Sequence, residues 1–146
     1  MAQFNTVGFD DVEKALIRRE KAAVEAVPEM LKAGANVLIR AQKAEIERMR
    51  IVDTADMMNS VKATPVKGND VEQYVEVYPH GKDRKGVRNA EKAFIAQYGR
   101  AYGKQKKEAR PWLTVANEKC TGEVHDAMRA VWRLSLIHIS EPTRPY

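Results

Sequence analysis

Near residue 60 the spacing of apolar residues changes from a helical period to that of a strand, and near residue 89 it changes back. In "SVKATPV" (60–66), Val61, Ala63 and Pro65 point one way and Lys62 and Thr64 the other. In "VEQYVEVY" (71–78), Val71, Val75 and Val77 alternate with Glu72, Tyr74, Glu76 and Tyr78. Gly68-Asn69 lies between the two runs and suits a two-residue hairpin turn. The pattern predicts a β-hairpin with its valines inward and a Glu/Tyr face outward. Pro65 cannot donate to a ladder, so its strand is expected at an edge, where a neighbouring subunit is one possible cover.

Helical patterns flank this hairpin. Residues 10–26 place Val12, Leu16, Ala23 and Val27 near one face, with Asp10 and Asp11 at the end where the helix dipole favours acids. At Pro28 two readings stay open: a break with a second helix over about 28–50, or one long kinked helix. In either case Leu31, Gly34, Val37, Leu38 and Ala41 form the inner face. The stretch "IVDTADMMNSV" (51–61), with Asp53 and Thr54, reads as a turn or short loop. Residues 79–89 read as a loop, 89–98 as a short helix capped by Asn89 and stopped at Gly99, and 100–110 as a second, basic loop. Pro111 opens a last helix to about Arg133, with Leu113, Ala116, Cys120, Val124, Met128 and Val131 in one stripe. The expected fold class is α+β: N-terminal helices, a hairpin or small antiparallel sheet, a short helix and a long C-terminal helix.

The 146 residues fit one domain, long enough to bury about 70% of the surface an unfolded chain exposes. That domain is expected over 1–133, with a helical part at about 10–50 and a core at about 51–133. The last thirteen residues, "LSLIHISEPTRPY", break with what precedes them. They resemble the conceptual translation of a transposase-type sequencing-library adapter, so 134–146 is expected to be non-native. A natural disordered tail is the alternative, and neither His138 nor Tyr146 is assigned a role. The N-terminus has no basic and apolar signal-peptide pattern, and no window reaches the roughly 20 apolar residues of a membrane span. A single cysteine, Cys120, cannot form an intrachain disulfide, which fits a reducing compartment.

The pieces of an enzyme do not assemble. His80 and His125 are isolated, and no CxxC, HxxxH or HExxH spacing occurs. The glycines at 81, 86, 99 and 103 make no phosphate loop. Cys120 sits on an apolar stripe, where cysteine behaves as a small hydrophobe. No catalytic residue, metal, cofactor or small-molecule substrate is expected.

Charge is more informative. The chain carries a formal +5, yet residues 81–110 hold ten Lys or Arg against three acids, a local surplus of seven. Such a patch fits either a solvated loop or a polyanionic partner, nucleic acid or acidic protein. Tyr98, Tyr102 and Trp112 interleave with the basic residues, as in proteins that stack unpaired bases. Tyr98 in a helix and Trp112 beside a proline read better as packing residues.

Four stretches, in order, resemble a known family: "VDTADMMNSVKATPV", "VEQYVEVYP", "AFIAQYG" and "ARPWLTVANEK". They are similar to the Thr-Gly-x-Leu segment, second strand, Ala-rich aromatic-Gly segment and Ala-Arg-Pro-Phe-Leu helix start of phage minor tail or tail-completion proteins. These are the gene-ten-product-like tail components of long-tailed phages and prophages, and the resemblance spans about 28–132. Ala55 stands where the family usually has glycine, Met57 where it has leucine, and Gln97 where an acid is common; 81–93 is longer and more basic.

The resemblance implies a non-enzymatic protein of the virion neck or upper tail, made in the host bacterial cytoplasm and acting as a ring of identical subunits. Its partners would be itself, other neck or tail proteins and, non-specifically, DNA, with no membrane. Glu72, Tyr74, Glu76 and Tyr78 would meet neighbouring subunits. Arg84, Lys85, Arg88, Arg100, Lys104, Lys106, Lys107 and Arg110, on loops 82–88 and 100–110, would meet an acidic ring or DNA. Pro111, Trp112 and Leu113 would anchor the last helix, burying about 200 Å² at the tryptophan, with Arg110 held just outside. The alternative is a small basic nucleic-acid-binding protein; a modifying enzyme would need a catalytic cluster not found here.

Overall fold

The computed structural model describes residues 9–51, 55–104 and 106–140. The turn expected at Asp53 and Thr54 lies outside them, as do residues 141–146 of the adapter-like tail.

One helix, α1 (Phe9–Arg48), replaces the two that a break at Pro28 would have made. Proline at 28 removes the bond to the Val24 carbonyl, at a cost of about 3 kcal/mol. The helix continues because the turns on both sides of it are held by packing: Ala26 before it and Ala35 and Val37 after it are buried. At Gly34 a Cβ would stand 3.2 Å from both Val124 and Met128, so glycine allows the last helix to approach. α1 ends with Arg50 in the left-handed region (φ 49°) and the Ile51 N–H on the Ile46 carbonyl at 3.2 Å. That bond and dihedral form a Schellman-type stop, and both isoleucines belong to the core.

A one-turn helix, α2 (Ala55–Asn59), stands within the stretch read as a turn or loop, held by Met57 in the core, and leads into a bent hairpin of four short strands: β1 (Val61–Ala63), β2 (Lys67–Gly68), β3 (Gln73–Tyr74) and β4 (Val77–Pro79). β1 pairs with β4, Val61 opposite Pro79, and β2 with β3, Lys67 opposite Tyr74. Thr64, Pro65 and Val66 stand opposite only Val75 and Glu76, so one extra residue bulges out. The alternation expected for the first strand therefore reverses: Thr64 is buried and Pro65 exposed. Thr64 bridges the gap, its N–H on the Glu76 carbonyl (2.8 Å) and its hydroxyl accepting the Glu76 N–H (3.0 Å).

The turn also differs from Gly68-Asn69. It is a four-residue loop, Asn69–Glu72, in which the Asn69 carboxamide accepts the N–H groups of Val71 and Glu72, each at 2.9 Å. Val71 points outward, 96% exposed, because it sits in this loop rather than in a strand. Gly68 (φ 116°) is required, since a Cβ there would lie 2.0 Å from the Glu72 carbonyl. The exposed Glu72, Tyr74, Glu76 and Tyr78 face is as expected.

α3 (Asn89–Tyr98) and α4 (Trp112–Ser140) complete the α+β fold. Asn89 does not cap α3: the N-cap is Arg88, and Asn89 instead donates its side-chain N–H to the His80 carbonyl at 2.9 Å. Gly99 ends α3 as expected, at φ 77°. α4 lies antiparallel on α1, with Lys119 on Glu45 near one end and Val124 and Met128 over Gly34 farther along. It continues past the expected end at Arg133 to Ser140. Ala116 and Cys120 are buried, with Val124, Met128 and Val131 half-buried along the predicted stripe. The core joins α1, α2, β1, α3 and α4 through Ile46, Met57, Val61, Ala93 and Trp112.

The first three turns of α1 stand apart from that core. Every residue from 10 to 21 is exposed, including Val12, Leu16 and Ile17 at 56%, 60% and 55%. Of the stripe expected here, only Ala23 and Val27 are partly covered.

Candidate functional site

The residues Arg110-Pro111-Trp112-Leu113 form the junction from which the candidate surfaces are built. Trp112 is 2% exposed, and its indole N–H donates to the Ala93 carbonyl at 3.1 Å, locking α4 onto α3. The helical bond from the Val115 N–H to the Pro111 carbonyl (3.1 Å) starts α4 where the proline predicted. Gln97 supplies the missing cap: its side-chain oxygen accepts the Leu113 N–H at 2.9 Å and its nitrogen donates to the Thr114 hydroxyl at 2.7 Å. A carboxylate there could accept the first of these bonds as well.

Arg110 is exposed, and its guanidinium donates to the carbonyls of Met49 and Arg50, at 3.2 and 3.3 Å, at the electronegative end of α1. Its own N–H is held by the Ala96 carbonyl at 2.7 Å. The junction thus ties α1, α3 and α4 together, and Trp112 is the anchor that the sequence predicted.

α3 separates two grooves. On one side Lys92, Ile95 and Ala96 face Arg50, Lys106, Lys107 and Arg110 across an open groove of about 700 Å³. Glu108 is the one acid lining it among the described residues, so the groove is basic. Lys92 is committed to Asp83, whose buried carboxylate also accepts the N–H groups of Lys85 and Val87 at 2.9 Å each. The Lys92 ammonium, then these amides, hold the Asp83 carboxyl below its ordinary pKa.

The basic loops are therefore not equivalent. Loop 100–110 closes on itself through paired bonds between Arg100 and Lys107 (2.8 and 3.1 Å) and brings Lys106, Lys107 and Arg110 to the groove. Arg84, Lys85 and Arg88 do not line it; the Arg84 side chain, 90% exposed, lies 3.7 Å from Asp56. Arg100 bonds the Tyr102 carbonyl at 3.1 Å, and Lys104 is exposed. Arg50 and Lys92, absent from the sequence-based set, join the groove because α1 ends beside α3.

On the opposite side Ala90, Ala93, Phe94, Gln97 and Tyr98 form one face of α3, at i, i+3, i+4, i+7 and i+8. With Val77, Tyr78 and Leu113 they line an apolar groove of about 150 Å³. Tyr98, expected to be a packing residue, is 65% exposed, and Phe94 beside it is 64% exposed. Their ring centroids are 4.8 Å apart, while Tyr78 stacks on His80 at 4.0 Å. On the hairpin's outer face Glu76 pairs with Lys67 at 3.0 Å.

Glu45 is the most buried carboxylate of the helical pair, accepting from Lys119 at 2.6 Å and Arg48 at 2.8 Å. The Lys119 hydrogen bond, with help from Arg48, lowers its pKa against the opposing effect of burial. Cys120 is buried, and desolvation raises its thiol pKa. Among the described residues no group of three or more His, Cys, Asp or Glu is placed to hold a metal. No helix among them is long and apolar enough to cross a membrane. No family model matches the chain, and neither a curated protein nor a solved structure matches it.

Proposed function

We propose that the chain is a structural assembly protein of a phage neck or upper tail, joining tail to head as a ring of identical subunits within the virion. The observation that carries this reading is the uncovered first part of α1. Three helical turns displaying Val12, Leu16 and Ile17 to water gain nothing in an isolated chain, because short helices are marginal without packing. They make sense in a subunit whose remaining contacts come from neighbours. The basic groove and the aromatic groove supply two further surfaces of different chemistry, suited to different contacts in one assembly. Deleting the gene from a phage that carries it should leave filled heads beside separate tails in electron micrographs, rejoined when the protein is supplied. Normal virions from the deletion would overturn the reading.

A second reading is supported by Arg50, Lys106, Lys107 and Arg110 around one groove: a small basic protein gripping nucleic-acid phosphates. Salt titration separates the two. Phosphate gripping through six or more contacts loses several decades of affinity between low and moderate salt, whereas a tail component binds linear DNA weakly throughout.

A further inference from the structure

We propose that the exposed N-terminal arm of α1 from one copy docks along the aromatic face of α3 in a second copy, making a head-to-tail contact. This rests on the ring-assembly reading above and names the surfaces that would build the ring.

Both surfaces are apolar and uncovered. The arm presents Val12, Leu16 and Ile17, and the stripe continues to Val24, which is 41% exposed. At 1.5 Å per residue, Val12 to Val24 spans about 18 Å. The receiving face runs from Ala90 to Tyr98, about 12 Å along α3, with Phe94 and Tyr98 standing out from it and Tyr78 forming the opposite wall. An amphipathic helix laid into such a groove is a recurrent recognition mode, with anchors drawn from i, i+3, i+4 and i+7, and Val12 and Leu16 stand at i and i+4.

The arm cannot reach its own groove. Gln42, which donates to the Val77 carbonyl at 3.4 Å, marks where α1 passes that site. Leu16 lies 26 residues away on the same helix, about 40 Å along the axis. The two complementary surfaces sit on one rod far apart, so satisfying them requires another molecule. A contact between unlike surfaces is heterologous, and it closes into a ring or propagates as a filament.

Charge sets the direction. The arm's first turn is acidic, with Asp10, Asp11 and Glu13, and the loop just beyond Tyr98 carries the exposed Arg100 and Lys104. The arm would therefore lie antiparallel to α3, with Arg18 and Arg19 toward Glu91 at the other end. The antiparallel arrangement also opposes the two helix dipoles.

The test uses the full chain carrying Leu16→Cys or Tyr98→Cys, singly and mixed, under mild oxidation; buried Cys120 stays in place. The expected result is a covalent dimer only in the mixture, containing one copy of each variant. A Leu16→Cys dimer formed alone as readily would mean arm-on-arm pairing and overturn the proposal. Oligomers without the mixed crosslink would overturn it too, while leaving the ring-assembly reading standing. Sedimentation supplies the second measurement. Leu16→Asp with Ile17→Asp should weaken self-association at least about a hundredfold, since two central anchors are lost. Circular dichroism should show the fold retained, because both residues are exposed. Unchanged association in that variant, or a wild-type chain that stays monomeric at high concentration, would overturn the arm contact. The neck reading fails on different grounds, namely whole virions from the gene deletion.

Discussion

The indole N–H of Trp112 donates to the carbonyl oxygen of Ala93 across 3.1 Å, inside the core. One bond thereby joins the first residue of α4 to the middle of α3, and the ring fills the space between Ile46, Met57 and Val61. Trp112→Ala should lower stability by about 3–5 kcal/mol, from lost burial and the cavity left behind. Trp112→Phe keeps most of the ring but loses the bond to the Ala93 carbonyl, which still accepts the helical N–H of Gln97, at about 0.5–1.5 kcal/mol. Chemical denaturation of both variants would measure this. A Trp112→Ala protein as stable as wild type would remove the tryptophan from its anchoring role.

Gln97 caps α4 through the Leu113 N–H and the Thr114 hydroxyl. Gln97→Ala should cost about 1–2 kcal/mol, as for the loss of an N-cap. Gln97→Glu keeps the acceptor at a helix N-terminus, where negative charge is favoured, and should be milder at neutral pH. Equal losses in the two variants would show that bulk, not capping, matters there.

Glu45 gives the fold an acid sensitivity whose sign is defined. Its folded pKa lies below the ordinary value of 4.5, chiefly through the Lys119 hydrogen bond. The carboxylate therefore contributes stability fully above its unfolded pKa, and that contribution is lost as pH falls through the lower folded value. Asp83, lowered by Lys92, adds in the same direction below its ordinary 3.8. Glu45→Gln should be less stable than wild type at pH 7, with the difference shrinking as pH drops below about 4.5. Denaturation midpoints at several pH values would show the convergence; a constant gap would refute the assignment.

Gly99 holds the start of the basic loop at φ 77°, ψ −179°, a region essentially restricted to glycine. A Cβ would lie 2.8 Å from the Lys107 carbonyl and 2.9 Å from the Ala109 nitrogen. Gly99→Ala should cost at least about 1–3 kcal/mol and open the Arg100–Lys107 bridge. Faster hydrogen exchange at the Arg100 and Lys107 amides would report it.

If nucleic acid enters the basic groove, Lys106→Ala and Lys107→Ala should each reduce the salt dependence of binding by about one phosphate contact. Arg110→Ala should also lower stability, because it uncovers the carbonyls of Met49 and Arg50. Identical behaviour of all three variants would contradict the structural role of Arg110.

Some of this was legible in the chain and some was not, for reasons that can be traced residue by residue. Trp112 could be read as a packing residue because it follows a helix-starting proline, while its anchoring of the last helix came from the family resemblance. The exposure of Tyr74, Glu76 and Tyr78 followed from alternation, whereas Glu72 is exposed because it closes the loop. Gln97 gave no signal, because its cap is made to a helix distant in sequence. Asn89 matched a capping preference, yet the backbone turn placed it one position inside the helix. Val71 fitted the alternation but fell in the four-residue loop that the Asn69 side chain closes. Tyr98 was assigned to packing from its helix, whereas its side of the helix has no cover.

The sequence by itself determined the order and type of the longer elements, because hydrophobic period is a local property that each segment carries regardless of its neighbours; α2, one turn long, is too short to show a period. It also determined where α4 begins, since proline restricts its own backbone and removes a donor. Only the tertiary structure decided whether Pro28 would interrupt α1, because the lost hydrogen bond had to be weighed against packing with a helix far along the chain. It decided as well which part of α1 is covered. Periodicity states which residues share a face; what lies against that face depends on where other elements stop. Here α4 covers the middle and end of α1 and leaves Val12, Leu16 and Ile17 bare.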